Sequence, residues 1–218
     1  KAQPNVGVIE NTGLTGDGLV KAISAADGVI VRSEVKLPEQ ILDKAFKNND
    51  CKLRGIARAG VGVDNIDLPT ATKYGIAVMN SASASTITTA EHAFALLISL
   101  ARNISNSNAV FRNGGWDRAN FVGVQLAGRT LGIVGMGRIG QAIARRALAF
   151  GMEVLGFDPF MKEATALDGN VQMMQSFNDL IKQVDIVTFH VPRTQETTGM
   201  LGEEQFAICK DGLLIVNA

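Results

Sequence analysis

Apolar and polar positions follow two alternating rhythms along this chain. Short apolar runs at Val6–Ile9, Gly28–Val31, Leu53–Ala57 and Ile76–Met79 are each followed by a stretch whose apolar residues recur at helical spacing. The runs suit buried parallel strands, and the periodic stretches suit helices over Gly16–Ala25, Pro38–Phe46, Pro69–Tyr74 and Thr88 to about Asn103. Proline near the start of the second of these fits the first turn of a helix. A second series follows: strands at Leu131–Val134, Glu153–Phe157, Val171–Met173, Ile186–Phe189 and Leu213–Val216, with helices after Ile139 and over Ser176–Lys182 and Glu203–Cys209. Strand and helix alternating twice predict two α/β units with parallel sheets, whose functional loops lie beyond the strands' C-terminal ends.

Thr88 and Glu91 have the spacing of a capping box, in which the hydroxyl takes the Glu91 amide proton and the carboxylate reaches back. The helix they open carries Ala90, Phe94, Leu97 and Ala101 on one stripe. Such a stripe needs cover, and we expect the helix to cross between domains or to form a subunit interface. Asn103–Asn113 is polar and helix-like and leads to a turn at Gly114-Gly-Trp116. The expected domains are therefore 1–102 and 103–218.

Between the first strand of the second unit and its helix lies Gly135-Met-Gly137-Arg-Ile-Gly140. Gly135 permits a tight turn, Gly137 lets the backbone approach a pyrophosphate, and Gly140 lets the helix pack closely on the strand. The N–H groups of Arg138 and Ile139 then face an anion. The next strand ends in Asp158, 18 residues after Gly140. A carboxylate there accepts from ribose hydroxyls and repels a 2′-phosphate, which favours NAD over NADP, with Lys162 the one nearby cation.

Other loops carry candidate chemistry. Arg32-Ser33 can hold a carboxylate or phosphate through a guanidinium and a hydroxyl, or can be an exposed surface turn. The small residues of Arg58-Ala-Gly-Val-Gly-Val-Asp64 leave backbone N–H groups open to an anion, or form a simple tight turn. Asn80–Thr86 is a small polar loop. His190-Val191-Pro192 leaves a strand on the side where a dinucleotide lies. His92 reads as structural.

Charge narrows the partners: Lys plus Arg and Asp plus Glu number 21 each, with no basic stripe, which argues against nucleic acid and acidic membranes. Cys51 and Cys209 stand apart from any metal-ligand cluster, so no metal site is expected and a reducing, cytoplasmic setting is. No apolar run reaches the length of a membrane helix.

Val31-Arg-Ser33, Arg58–Asp67, Ala90-Glu-His92, Gly115-Trp116, Gly135–Gly140, Phe157-Asp-Pro159, His190-Val-Pro192 and Ile215–Ala218 occur together and in order. In this the chain resembles the D-isomer-specific 2-hydroxyacid dehydrogenases, most closely their D-3-phosphoglycerate branch. The resemblance implies a flavodoxin-like substrate-domain portion followed by an incomplete NAD-binding Rossmann domain. It places Arg32, Ser33, Val61, Gly62 and Ser85 on the substrate, Arg32 and Ser33 at a distal phosphate and the amides of Val61 and Gly62 at the carboxylate. It places Val61, Thr89, Gly135, Gly137, Arg138, Ile139, Gly140, Asp158, His190, Val191, Pro192, Asn217 and Ala218 along NAD. Ser85 stands where the phosphoglycerate enzymes commonly carry asparagine.

The family's chemistry uses an arginine just after the Val-Asn-Ala segment, and a glutamate and histidine further on. None of these is matched here, so no catalytic residue is assigned, and the chain is expected to be a fragment with binding elements and no turnover of its own. The implied activity of the parent protein is NAD-dependent oxidation of D-3-phosphoglycerate to 3-phosphohydroxypyruvate, towards serine, by a homodimer or homotetramer. The alternatives are a glyoxylate or hydroxypyruvate reductase and a non-catalytic NAD-binding protein of the same fold.

Overall fold

The computed structural model describes residues 5–47, 50–161 and 165–218. Lys162 lies outside them. The chain divides into two compact units, 1–85 and 86–218.

In the first unit, strands β1 (Gly28–Val31), β2 (Gly55–Arg58) and β3 (Ala77–Asn80) form a parallel sheet in the order β1-β2-β3. They alternate with helices α1 (Gly16–Ala25), α2 (Glu39–Phe46) and α3 (Leu68–Lys73). Pro38 is the N-cap of α2, and the Asp67 carboxylate caps α3 by accepting from the Thr70 amide at 2.9 Å. Leu19, Ile23, Leu42, Ala45 and Ala71 from the helices share a core with Val31 and Ile56 from the strands. Period-two alternation turns Ile30 and Met79 to the opposite face, where they are exposed.

Val6–Ile9 is not a strand. Its backbone pairs with no described strand, and Val8 and Ile9 are more than four-fifths exposed, at 85% and 86%. Apolar alternation marks a segment able to be a strand, but the ladder that makes it one comes from a neighbour.

The second unit begins one helix earlier than the sequence pattern suggests. Helix α4 (Thr86–Ala101) buries Ala90, Phe94, Leu97 and Ala101 in one core with Ile143, Ala144 and Ala147 of α6 (Arg138–Ala149). Phe94 meets Phe150 edge to face with ring centroids 4.9 Å apart. The stripe's cover is thus its own unit's core, which corrects both the division at 102/103 and the stripe's expected place between domains or subunits. The capping box is also corrected. Thr88 lies inside α4 and not at its start, and Glu91 is engaged with Arg146 at 3.2 Å. Helix α5 (Ile104–Arg112) follows.

Strands β4 (Thr130–Val134), β5 (Glu153–Phe157), β6 (Thr165–Ala166), β7 (Val171–Met173), β8 (Ile186–Phe189) and β9 (Leu214–Asn217) form a sheet in the order β6-β7-β5-β4-β8-β9. All pairs are parallel except β6 with β7, an antiparallel edge that the sequence reading did not contain. Helices α4 and α6 share the core on one side. A second cluster joins Leu180 and Ile181 of α7 (Phe177–Ile181) to Val134 and Val187, with Ile208 of α8 (Glu203–Ile208) packed against it. Helices on both faces and a strand order that reverses at β4 make this a doubly wound sheet with its switch point beside β4. Among the described residues no helix is long and apolar enough to cross a membrane.

Candidate functional site

Register alone gathers the sequence candidates of the second unit on one sheet edge. Val134 is paired with Phe157 on one side and Phe189 on the other, and Phe189 with Asn217. The residues that follow, Gly135, Asp158, His190 and Ala218, therefore leave the sheet at the same end, at the switch point where open α/β sheets take ligands.

The three glycines of the turn are glycine for different reasons. Gly135 has φ 92°, and a Cβ there would stand 2.5 Å from the His190 carbonyl oxygen and 2.9 Å from Val191 Cγ1. At Gly140 a Cβ would collide with the Gly135 carbonyl oxygen and lie 3.2 Å from Ile133 Cγ2, so the missing side chain is what seats α6 against β4. Around Gly137 there is no atom within 4 Å of such a Cβ. Nothing in the fold demands glycine at that position. The space is open, at the N-terminus of a twelve-residue helix with no side-chain cap. Free first-turn amides and the positive end of the helix dipole suit an anion there.

Asp158 closes the turn from the side. Its Oδ2 accepts from the Met136 amide at 3.0 Å and its Oδ1 from the Phe160 amide at 3.0 Å. Two of the carboxylate's roughly four lone-pair sites are used, and the others remain for hydroxyl donors. The backbone N–H of His190 donates to the Val134 carbonyl at 2.7 Å, and its Nε2 is 2.8 Å from Thr188 Oγ1. Burial penalises the charged imidazole and lowers the His190 pKa to about 4. A neutral ring thus sits beside the glycine turn at neutral pH. Val191 packs with the α7 cluster, Pro192 is exposed, and Thr89 is half-buried on α4. His92 is exposed on the same helix.

The first unit gathers its own candidates on the C-terminal edge of its sheet, where Val31, Arg58 and Asn80 stand side by side. Arg32 and Ser33 are exposed, and the Arg32 guanidinium is only loosely paired with Glu34 at 3.9 Å. In the glycine loop, the Val61 carbonyl accepts from Asn80 Nδ2 at 2.6 Å, while Val61 and Gly62 are exposed. The guanidinium of Arg58 lies where a Gly60 side chain would be, and its Nε is buried without a partner. Ser85, half-buried, closes this unit before α4.

Three residues of these edges escaped the sequence reading. In the sequence Arg58 is no more than the start of a loop, although its position after an apolar strand is a signal. Asn65 and Thr188 are buried polar side chains, 3% and 1% exposed, beneath the Arg32 turn and the His190 turn. Nothing in their sequence context distinguishes them from loop or strand residues.

The model of the D-isomer-specific 2-hydroxyacid dehydrogenase NAD-binding domain matches residues 94–218. The chain belongs to the D-isomer-specific 2-hydroxyacid dehydrogenases. Its second unit is the NAD-binding domain of that family, and NAD is its cofactor. A D-3-phosphoglycerate dehydrogenase of Methanocaldococcus jannaschii is 43% identical over all 218 residues, and one of Bacillus subtilis is 44% identical over 191 residues. These matches cover 100% and 88% of this chain but 41% and 35% of those proteins, so the chain spans about two fifths of their length or less. Among solved structures, a Thermus thermophilus protein superposes with a TM-score of 0.83 at 36% identity, covering 95% of this chain and 64% of that one. The D-lactate dehydrogenase of Aquifex aeolicus complexed with NAD and lactic acid gives 0.79 at 31% identity, covering 91% and 58%.

Proposed function

We propose that the protein is an NAD-dependent dehydrogenase that oxidises D-3-phosphoglycerate to 3-phosphohydroxypyruvate, a step towards serine. The observation that carries this reading is the extent of the likeness to D-3-phosphoglycerate dehydrogenases. It runs over all 218 residues and so includes the first unit's anion-facing loops as well as the glycine turn.

In this reading the second unit holds the dinucleotide. The amides of Arg138 and Ile139 take the pyrophosphate in the open space at Gly137, and the Asp158 carboxylate takes the ribose hydroxyls. His190, Val191, Pro192, Asn217, Ala218 and Thr89 line its path. NAD supplies a hydride acceptor for C2 of the substrate. The first unit holds the acid: Arg32 and Ser33 take the distal phosphate, the Val61 and Gly62 amides take the carboxylate, and Ser85 offers a short hydroxyl. A guanidinium at Arg32 suits phosphate better than an ammonium would, because its fork can bind two oxygens at once. Arg58 strengthens the same region, since its buried, unpartnered Nε is a donor that an anion would satisfy. No residue of this chain is assigned the proton transfer.

A homodimer or homotetramer is part of the proposal. It is supported by exposed Phe111, Trp116 and Val122 in the second unit, which border a groove of about 670 Å³. A cytoplasmic setting is proposed on the two free cysteines.

The test is NADH formation by the whole protein, of whose relatives this chain spans about two fifths or less, with NAD and D-3-phosphoglycerate, run beside D-glycerate. Faster turnover of the phosphorylated acid is expected. Equal turnover of the two would remove the phosphate pocket, and NAD binding with no turnover of any 2-hydroxy acid would leave a non-catalytic NAD-binding protein.

A further inference from the structure

Asn65 is one of few buried polar side chains among the described residues, and both its donor hydrogens are used at a distance in sequence. Its Nδ2 donates to the Arg32 carbonyl at 3.1 Å and to the Val35 carbonyl at 2.8 Å. Those carbonyls mark the two ends of the turn that carries Arg32 and Ser33, which is otherwise closed by the Val35 amide donating to the Arg32 carbonyl at 3.2 Å. Asn65 itself sits at the exit of the Arg58–Asp64 loop. Its own carbonyl accepts from the Leu37 amide at 2.7 Å, and the Asp67 amide donates to the Leu37 carbonyl at 3.0 Å. The backbone thus ties the two segments at Leu37 and, through the Ala59 amide donating to the Val31 carbonyl at 2.9 Å, at the end of β1; among the described residues it is the Asn65 side chain that bonds from the second segment to the Arg32 turn itself.

Its Oδ1 is buried with no partner. Flipping the amide would not relieve this, because an oxygen would then face two carbonyl oxygens, so the hydrogen-bond network assigns the orientation. An apolar side chain would leave no such orphan. What an amide supplies here, and an apolar residue cannot, is a pair of donors for one turn.

We propose that Asn65 is a positioning residue that fixes the span between two anion-holding points of the first unit, the Val61–Gly62 amides and the Arg32 guanidinium, and thereby selects an acid with a second, distal anion. The inference rests on the phosphate assignment of Arg32 proposed above. Asn65 touches neither anion. It holds the backbone from which Arg32 reaches, so its loss matters only to a ligand that engages Arg32.

The test is a double-mutant cycle read by calorimetric titration of D-3-phosphoglycerate and D-glycerate, with urea unfolding measured alongside. Asn65→Ala is expected to weaken D-3-phosphoglycerate roughly three- to tenfold, the equivalent of one lost neutral hydrogen bond in fixing Arg32, and to leave D-glycerate unchanged. In an Arg32→Ala background the same substitution should have no further effect on affinity, although its effect on unfolding persists. A loss shared equally by both ligands, an equal loss in the Arg32→Ala background, or no loss would overturn the proposal. If Arg32→Ala alone leaves D-3-phosphoglycerate affinity intact, the phosphate assignment fails, and this inference fails with it. If Arg32→Ala weakens binding while Asn65→Ala does not, only this inference fails. Should Asn65→Ala not fold, Asn65→Ser keeps one donor and runs the same cycle, with a smaller loss expected and the same outcomes decisive.

Discussion

Gly137 and Gly140 are separated by three positions and should respond to alanine in opposite ways. At Gly140 the new methyl would meet backbone, with the Gly135 carbonyl oxygen in collision and the Gly135 carbonyl carbon at 3.1 Å, and also the side-chain atom Ile133 Cγ2 at 3.2 Å. Neither carbonyl atom can rotate aside, so α6 must move off the turn. Overpacking of this kind costs roughly 1–3 kcal/mol, and the better helix propensity of alanine returns at most about 1 kcal/mol. Because the obstacle is backbone, we take the upper part of the range and expect a net loss of about 2 kcal/mol. At Gly137 the methyl meets nothing within 4 Å, and its φ of −68° is open to any residue. Folding should change by less than about 0.5 kcal/mol, as for substitutions away from packed features.

The order reverses for NAD. A methyl at Gly137 would stand in the open space proposed above for the pyrophosphate, and losing hydrogen bonds to a charged group costs roughly 1.5–3 kcal/mol, or about 10- to 100-fold in affinity. Calorimetric titration with NAD and urea unfolding by circular dichroism separate the two quantities. A Gly137→Ala protein that binds NAD like the parent would refute the placement of the pyrophosphate. A Gly140→Ala protein of unchanged stability would refute the packing argument for the third glycine.

Three further outcomes follow from the second unit. Since the His190 pKa falls from 6.5 to about 4 on burial, the unfolded chain binds a proton between those values that the folded chain does not, so the ring's contribution is complete above pH 6.5 and is lost as pH falls towards 4. His190→Gln should flatten the stability profile in that window, and an unchanged slope there would contradict the assignment. Gly132→Ala would bring a methyl within 2.8 Å of Val184 Cγ1 and 3.2 Å of Leu180 Cδ2, costing about 1–3 kcal/mol in urea unfolding; a parental midpoint would mean that this contact yields freely. Asp158→Asn replaces one acceptor by a donor against the Met136 or Phe160 amide, and should lose about 1–3 kcal/mol of stability and weaken NAD; stability equal to the parent would show that the two amides are satisfied otherwise.

What was legible in the sequence was whatever a single residue's backbone or periodicity decides. Strands β1 and β5 and helix α1 fall where the apolar rhythm puts them, and Gly135 takes the positive φ that its place in the turn requires. Elements that depend on a partner were misread in proportion to that dependence. Val6–Ile9 has the alternation of a strand but no neighbour to pair with, and β6, two residues long, exists only through its antiparallel pairing with β7. The stripe on α4 was seen, but a stripe does not say which core it enters; that was decided by the complementary face of α6. Thr88 and Glu91 have the spacing of a cap and lie inside a helix, with Glu91 drawn instead to Arg146.

The same division runs through the candidate sites. Turn residues that present backbone N–H groups announce themselves as glycines at fixed offsets, because the absence of a side chain is itself the function. Asn65 and Thr188 act through side chains whose partners lie 33 residues away in one case and two in the other, and neither separation has a sequence signature. Both are buried polar groups, and burial is a property of the assembled unit. In each unit the candidate loop could thus be named from its own residues, while the buried polar side chain beneath it emerges only once the strands are set side by side.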